Sequence, residues 1–448
     1  MLNIDQTSSW MPLTQAQQYY WHEFSLHSEK VVSTVAHYLD IQGNVDQEAL
    51  CKAITTVASE TDVLSVRFKR LEEEPLPLQQ PNQAAIPQLK FIDLQTQPDP
   101  FHTALQLMRA DVESPLNLLT QLLSAQWLFK LSESHYLWYN RAHHILLDGF
   151  GMALIEHRCA HFYSYYLGKA SADASFHSLS NYLTEEQEYC NSEQYEKDRL
   201  YWQNYLSSAR LTTVDIARAD YSTKHHYTSC ALSANIVTGL IRLSADTDIA
   251  WPDLLVALSS IYLLHYFAAQ TQNGEYSMPL WLPYMNRRTR FRTNTPALMT
   301  NILPLLINTN PDETLETFLK KTINALHTQR THARYRIEQI FLDHQLPQDT
   351  RYLFSPLINV LPFDSPNFVD CQVKRHILTS GLYDCFSFNI IYRGKVDAGE
   401  LIVDFDADSA MFGKEEVENH QKNLTDFLQK SAHRQLSFPA CKSALPIK

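Results

Sequence analysis

The sequence is poor in glycine. It has 10 glycines in 448 residues, about 2 %, where globular chains average ~7 %. Its one G-x-G is Gly149–Gly151, and the next glycine is Gly168. No G-x-G-x-x-G, Gly-Lys-Ser or Gly-Lys-Thr occurs. A phosphate-cradling loop of the dinucleotide-binding or P-loop kind is therefore excluded at motif level, and no reaction run on a nucleotide is expected. Charged residues are sparse too, at 19 %, against a usual ~25 %. The hydrophobic share of 45 % is ordinary and argues against disorder. Basic residues are outnumbered 37 to 49, a net charge of −12. Such a surface disfavours nucleic acid. It mostly serves solubility, and it is compatible with a cationic small molecule. The seven cysteines are scattered with no C-x-x-C, which fits reduced thiols and a cytoplasmic protein. The first residues, Met1 to Gln6, show no basic and then apolar signal-peptide pattern. The longest apolar run, 254–269, is broken by Ser259, Ser260 and His265 and falls short of the ~20 residues that cross a membrane. It reads as a buried core helix, with Pro252 in its first turn, and no membrane association is expected.

What is present is an alternation of helical and strand patterns. Helices are predicted near 15–27, 47–59, 102–112, 185–206, 252–269, 314–331 and 414–430. Strands are predicted near 31–41, 122–131, 135–143, 227–232, 278–284, 302–307, 357–362, 386–392 and 401–405. This is an α/β chain with mixed sheets. The Ala, Ser, Asp and His stretch Lys169–Ser178 is the best boundary, dividing the chain into 1–177 and 178–448, two parts of domain size.

The chemistry concentrates in Arg141-Ala142-His143-His144-Ile145-Leu146-Leu147-Asp148-Gly149-Phe150-Gly151. It follows a strand-like run, Tyr136 to Asn140. If the strand continues through both histidines, they point to opposite faces, one toward a cavity and one into the scaffold. Asp148 suits a helix N-cap and Gly149 eases the turn. The helix carries an apolar stripe through Leu154, Ile155, Cys159, Phe162 and Tyr166, and Gly168 suits its C-terminal cap. An imidazole at the end of a rigid strand, beside a carboxylate, can take a proton from an attacking amine or hydroxyl without a metal. Two other readings remain at this point: coincidental core and cap residues, or a metal site. The metal site lacks the i, i+4 histidine pair of a zincin.

His143-His144-x-x-x-Asp148-Gly149 resembles the H-H-x-x-x-D-G signature of condensation domains from nonribosomal peptide synthetases. Further segments match in order. Pro12-Leu13-Thr14-Gln15-Ala16-Gln17 is similar to the opening motif. Residues Ser59 to Phe68 resemble the second, with its usual His-Glu replaced. Asn301-Ile302-Leu303-Pro304-Leu305 and Arg336-Ile337-Glu338-Gln339-Ile340 resemble two late motifs. Trp251-Pro252-Asp253, residues Trp281 to Arg287, residues Ala333 to Ile340 and residues Ser355 to Phe363 are similar to the free-standing amide synthases of this family.

That resemblance implies two chloramphenicol-acetyltransferase-like subdomains in a V-shaped pseudo-dimer with a central channel. A partner carrier protein would deliver an aryl thioester, such as 2,3-dihydroxybenzoyl, on its phosphopantetheine arm. A soluble amine such as norspermidine would enter from the other face. No permanently bound cofactor and no metal are implied, and a monomer is expected. His144 would be catalytic, as general base or by positioning the amine, and Asn359 would hydrogen-bond the oxyanion or be a buried strand residue. His143, Asp148, Gly149 and Arg287 would be structural at the active site, with Asp148 paired to Arg287. Neither a carrier nor an adenylation motif is visible, so the acid would arrive already activated. A coenzyme-A-dependent acyltransferase of the same fold and a non-catalytic carrier-protein scaffold are the alternatives.

Overall fold

A computed structural model describes residues 10–27, 33–72, 74–171, 173, 175–207, 209–215, 225–267, 269–270, 276–310, 312–347, 350–361, 364–380, 385–393 and 400–433. Within these, two mixed sheets are clad by helices. The first has five strands in the order Cys371–Ser380, Thr34–Gly43, His135–His143, Ser124–Ser132, Leu89–Asp93. The second runs Asn301–Thr309, Tyr276–Tyr284, Leu357–Leu361, Phe386–Arg393, Glu400–Asp408, His225–Ala231, with Ala269–Gln270 paired beside Tyr276–Tyr284.

Alternation along Thr34–Gly43 explains why the first sheet is covered on both faces. Val35, Leu39 and Ile41 pack with Trp138 against the helix Gly149–Tyr166 and its neighbours. Ala36 and Tyr38 face the other way, onto Phe129, Leu137, Tyr139 and Met108. In the second half, the helix Trp251–Phe267 is buried without a break from Asp253 to Leu264. That explains a run apolar on every side, which a surface helix would not have. No single helix among the described residues is long and apolar enough to cross a membrane.

Several expectations shift. The helix foreseen at 185–206 is two, Leu179–Cys190 and Glu193–Leu206, with Ser178 and Ser192 as N-caps whose hydroxyls accept from Asn181 and Tyr195 N–H. Periodicity continued across that break, but the serine cap starts a new helix. The helix Ala234–Thr247 and the strands Leu89–Asp93 and Cys371–Ser380 were not foreseen. The last comes from the 178–448 part, yet it pairs antiparallel with Thr34–Gly43 over its whole length. The expectations at Met1–Gln6, Pro362 and Phe363 lie outside the described residues.

Candidate active site

The strand His135–His143 ends at the first histidine, so the two rings are not placed by strand alternation. The chain turns there instead: Leu146 N–H donates to the His143 carbonyl at 2.9 Å. The His144 N–H is held by the Ser33 carbonyl at 2.6 Å. The rings still separate. His143 is buried, and its Nδ1 accepts from Ile145 N–H at 3.1 Å. That bond fixes the proton of the neutral ring on Nε2. His144 lines a cavity between the two sheets, stacked on Tyr20 with ring centroids 5.5 Å apart. Its Nδ1 lies 3.1 Å from the Leu147 carbonyl. A carbonyl only accepts, so Nδ1 carries the proton and Nε2 is the basic nitrogen. Burial first, then the charge of Glu23, keeps the Tyr20 hydroxyl protonated well above the usual phenol range.

Asp148 caps the helix Gly149–Tyr166, accepting from Gly151 N–H at 2.8 Å. It does more than cap. The same oxygen accepts from Arg287 Nη2 at 2.9 Å, and the other oxygen takes Met299 N–H, Thr300 N–H and the Thr300 hydroxyl at 2.9, 2.9 and 3.0 Å. Burial opposes the charge. Arg287 and the N–H groups of Gly151 and Met299 outweigh it and hold the carboxyl below the usual range. Arg287 is fixed in turn by the carbonyls of Arg292, Thr295 and Ala297. It leaves its strand through Asn286, whose φ of 54° is left-handed, a conformation asparagine tolerates. Arg336 completes the clamp, donating to the carbonyls of Met299 and Thr300 while pairing with Glu338 at 3.0 Å. Gln17, from the opening segment, donates to the Ile145 carbonyl at 3.1 Å. Much of what the ordered segments contribute is thus scaffold around the turn at 143–151.

Gly149 needs no special backbone. A Cβ there meets nothing within 4 Å, and its φ is ordinary. The constrained glycine is Gly151, where a Cβ would sit 3.2 Å from Leu147 Cβ and 3.3 Å from Ala297 N. The expected turn role therefore passes from Gly149 to close packing at Gly151. Gly149 instead leaves open space at the cavity wall.

Asn359 reaches the same cavity from the second sheet, on the strand Leu357–Leu361. Its Nδ2 donates to Asn389 Oδ1 at 3.0 Å, across a parallel pair in register. An amide nitrogen has two hydrogens, so one remains for a ligand. His144, Asp148, Gly149 and Asn359 all line this cavity, whereas His143 and Arg287 stand behind it. The space measures about 1520 Å³, part of it open to solvent.

Sequence reasoning missed His37, Glu156 and Arg375, a buried cluster at the same cavity. Glu156 gave a faint signal, as an acid on the helix face shared with Met152, Ala153, Cys159 and Ala160. His37 and Arg375 lie on strands far apart in sequence and gave none. Among the described residues no three His, Cys, Asp or Glu side chains gather as a metal site.

Comparison with known proteins follows the same geometry. The family model described as "Condensation domain" matches residues 7–438. The solved structure of VibH, an NRPS condensation enzyme, superposes with a TM-score of 0.81 and 32 % identity, covering 94 % of this chain and 96 % of that one. A dimodular nonribosomal peptide synthase of Bacillus subtilis (strain 168) is 30 % identical over 420 residues, 93 % of this chain and 17 % of that protein. Enterobactin synthase component F of Escherichia coli (strain K12) is 28 % identical over 393 residues, 84 % of this chain and 29 % of that protein. The chain thus spans under a third of the length of these two curated relatives.

Proposed function

Because the chain belongs to the condensation-domain family of nonribosomal peptide synthesis, we propose that it is a free-standing amide synthase. It joins a carrier-bound aryl thioester, 2,3-dihydroxybenzoyl being the first candidate, to a soluble amine such as norspermidine. Residues 1–177 and 178–448 form its two acetyltransferase-like subdomains. The observation that carries the reading is His144, its basic Nε2 fixed by tautomer at the cavity between the sheets. The match to VibH, an NRPS condensation enzyme, over nearly both chains supports the amide-synthase reading. The siderophore-related relative enterobactin synthase component F supports catecholate siderophore assembly.

In this reaction a neutral amine attacks the thioester carbonyl. His144 Nε2 takes the amine proton or holds its N–H in line, and returns a proton to the departing thiolate of the phosphopantetheine arm. The C–N bond forms as the C–S bond breaks. The second Asn359 N–H, oriented by Asn389, meets the oxyanion. Asp148 and Arg287 hold the His144 turn without touching substrate. The carrier's phosphopantetheine delivers the donor, so the protein needs no cofactor of its own. Mass spectrometry of products from purified protein, a dihydroxybenzoyl-loaded carrier and a panel of amines tests the proposal. A coenzyme-A thioester tested alongside separates carrier-dependent from coenzyme-A-dependent transfer. No new amide with any amine refutes the reading.

A further inference from the structure

A second imidazole faces the same cavity. Strand Thr34–Gly43 turns Val35 and His37 toward it, and the paired strand Cys371–Ser380 turns Arg375 and Ile377 the same way. His37 is 4 % exposed. Its Nδ1 lies 3.1 Å from Glu156 Oε1, and Arg375 Nε holds the other oxygen of that carboxylate. Burial opposes the Glu156 charge, but Arg375 and then His37 outweigh it and keep the carboxyl below its usual range. An ionised carboxylate only accepts, so in the neutral ring Nδ1 carries the proton and Nε2 is an acceptor. No hydrogen bond reaches that Nε2 from the described residues. His37 lines the cavity, so this acceptor is within reach of a bound group. Arg375 and Glu156 cancel as charges, and the subsite offers an acceptor rather than a net charge.

Its distance from the chemistry is set by secondary structure. Thr34 is paired with His143, and His37 lies three residues further on, roughly 10 Å at strand rise. The helix gives the same scale, because Asp148 and Glu156 are eight residues apart, roughly 12 Å. Hydroxyls on an aryl acyl group sit too near the carbonyl carbon to reach that far. A nitrogen roughly eight bonds along an extended chain does reach.

We propose that His37, oriented by Glu156, positions substrate: its Nε2 accepts a hydrogen bond from an N–H group carried far from the reacting carbon. Two parts of the substrates carry such a group, a second nitrogen of the acceptor amine or an amide of the donor's pantetheine arm. This rests on the amide-synthase reading. The test compares the unmutated protein with His37→Phe on matched pairs. One pair is a diamine and a monoamine of equal length. The other is the carrier-bound donor and a short N-acetylcysteamine thioester that lacks the second amide.

Loss of one hydrogen bond raises KM about threefold to tenfold for the member that carries the N–H, with kcat little changed. The ratio of KM between full and truncated partners shrinks accordingly. Movement in the amine pair assigns the group to the acceptor, and movement in the thioester pair assigns it to the arm. His37→Gln, which retains an acceptor oxygen, restores most of the difference. Equal losses on every substrate, or none on any, overturn the proposal. If His37→Phe does not fold, the ring ¹⁵N shift of His37 in the unmutated protein decides. It must move on adding the full amine or loaded carrier and stay for the truncated partner, and no movement overturns the proposal. If the unmutated protein forms no amide at all, the amide-synthase reading fails separately, and the ¹⁵N titration still reads His37 without turnover.

Discussion

Replacing Asp148 by alanine tests whether this carboxylate builds the site or works on substrate. The carboxylate accepts five hydrogen bonds, from Gly151, Arg287, Met299 and twice from Thr300. Its side chain is 1 % exposed and that of Arg287 3 %. Removing one partner of such a buried pair costs ~3–5 kcal/mol. Arg287 keeps three carbonyl partners, which softens the loss. The N–H groups of Gly151, Met299 and Thr300 have no other acceptor among the described residues, and each donor left bare adds ~1–3 kcal/mol. The two effects overlap, so the pair's ~3–5 kcal/mol is the least expected. That is a large share of the ~5–15 kcal/mol that usually holds a protein folded. Urea unfolding should show a clearly lower midpoint for Asp148→Ala, with activity falling in step with folded protein. Asp148→Asn keeps the shape but turns an NH2 toward donors, so it recovers only part of the loss. The sign with pH follows from the lowered carboxyl pKa. Its stabilisation is complete above the ordinary carboxylate range and is lost as pH falls through the folded value. The gap between parent and variant therefore narrows in acid. A soluble Asp148→Ala protein with an unchanged midpoint and abolished turnover would refute this account.

Three further substitutions probe other parts of the molecule. His144→Ala should lower kcat about 10²–10⁴-fold while the thermal midpoint moves little, because the ring is only partly buried; full turnover removes His144 from the chemistry. Gly151→Ala forces a Cβ against Leu147 and the Ala297 backbone and should cost ~1–3 kcal/mol, whereas Gly149→Ala should fold like the parent. Calorimetry giving the opposite order contradicts the packing described. Asp406 is pushed up to about 8, by burial first and by Asp404 second. Its folded pKa is raised, so its contribution is full below the unfolded value and is lost as pH rises through about 8. Asp406→Asn should therefore flatten the fall in thermal midpoint between pH ~5 and pH ~9, and an unaltered slope counts against it.

Local rules reached far into this fold where the signal was local. The helices expected from Gln15, Gln47 and Thr314 begin where Thr14, Asp46 and Thr314 cap them through their own side chains, and strand alternation located most of both sheets. The pairing of Asp148 with Arg287 came from a resemblance, since nothing in spacing links positions so far apart. Cys371–Ser380 escaped because alternation of Val373, Arg375 and Ile377 mixes a charge into the inward face. That inward charge is Arg375, which belongs to the His37 cluster. Gly149 and Gly151 look alike in sequence, and only the close approach of Ala297 tells them apart.

The strand Cys371–Ser380 also sets an order of assembly. Thr34–Gly43 pairs with it on one side and with His135–His143 on the other. On a ribosome, the later strand emerges only after more than three hundred intervening residues. Until then Thr34–Gly43 is a bare sheet edge, the kind that recruits stray strands. The wall that carries His37 is therefore finished late. A truncation that stops short of residue 371 should yield a sticky, aggregation-prone half rather than an independent folding unit.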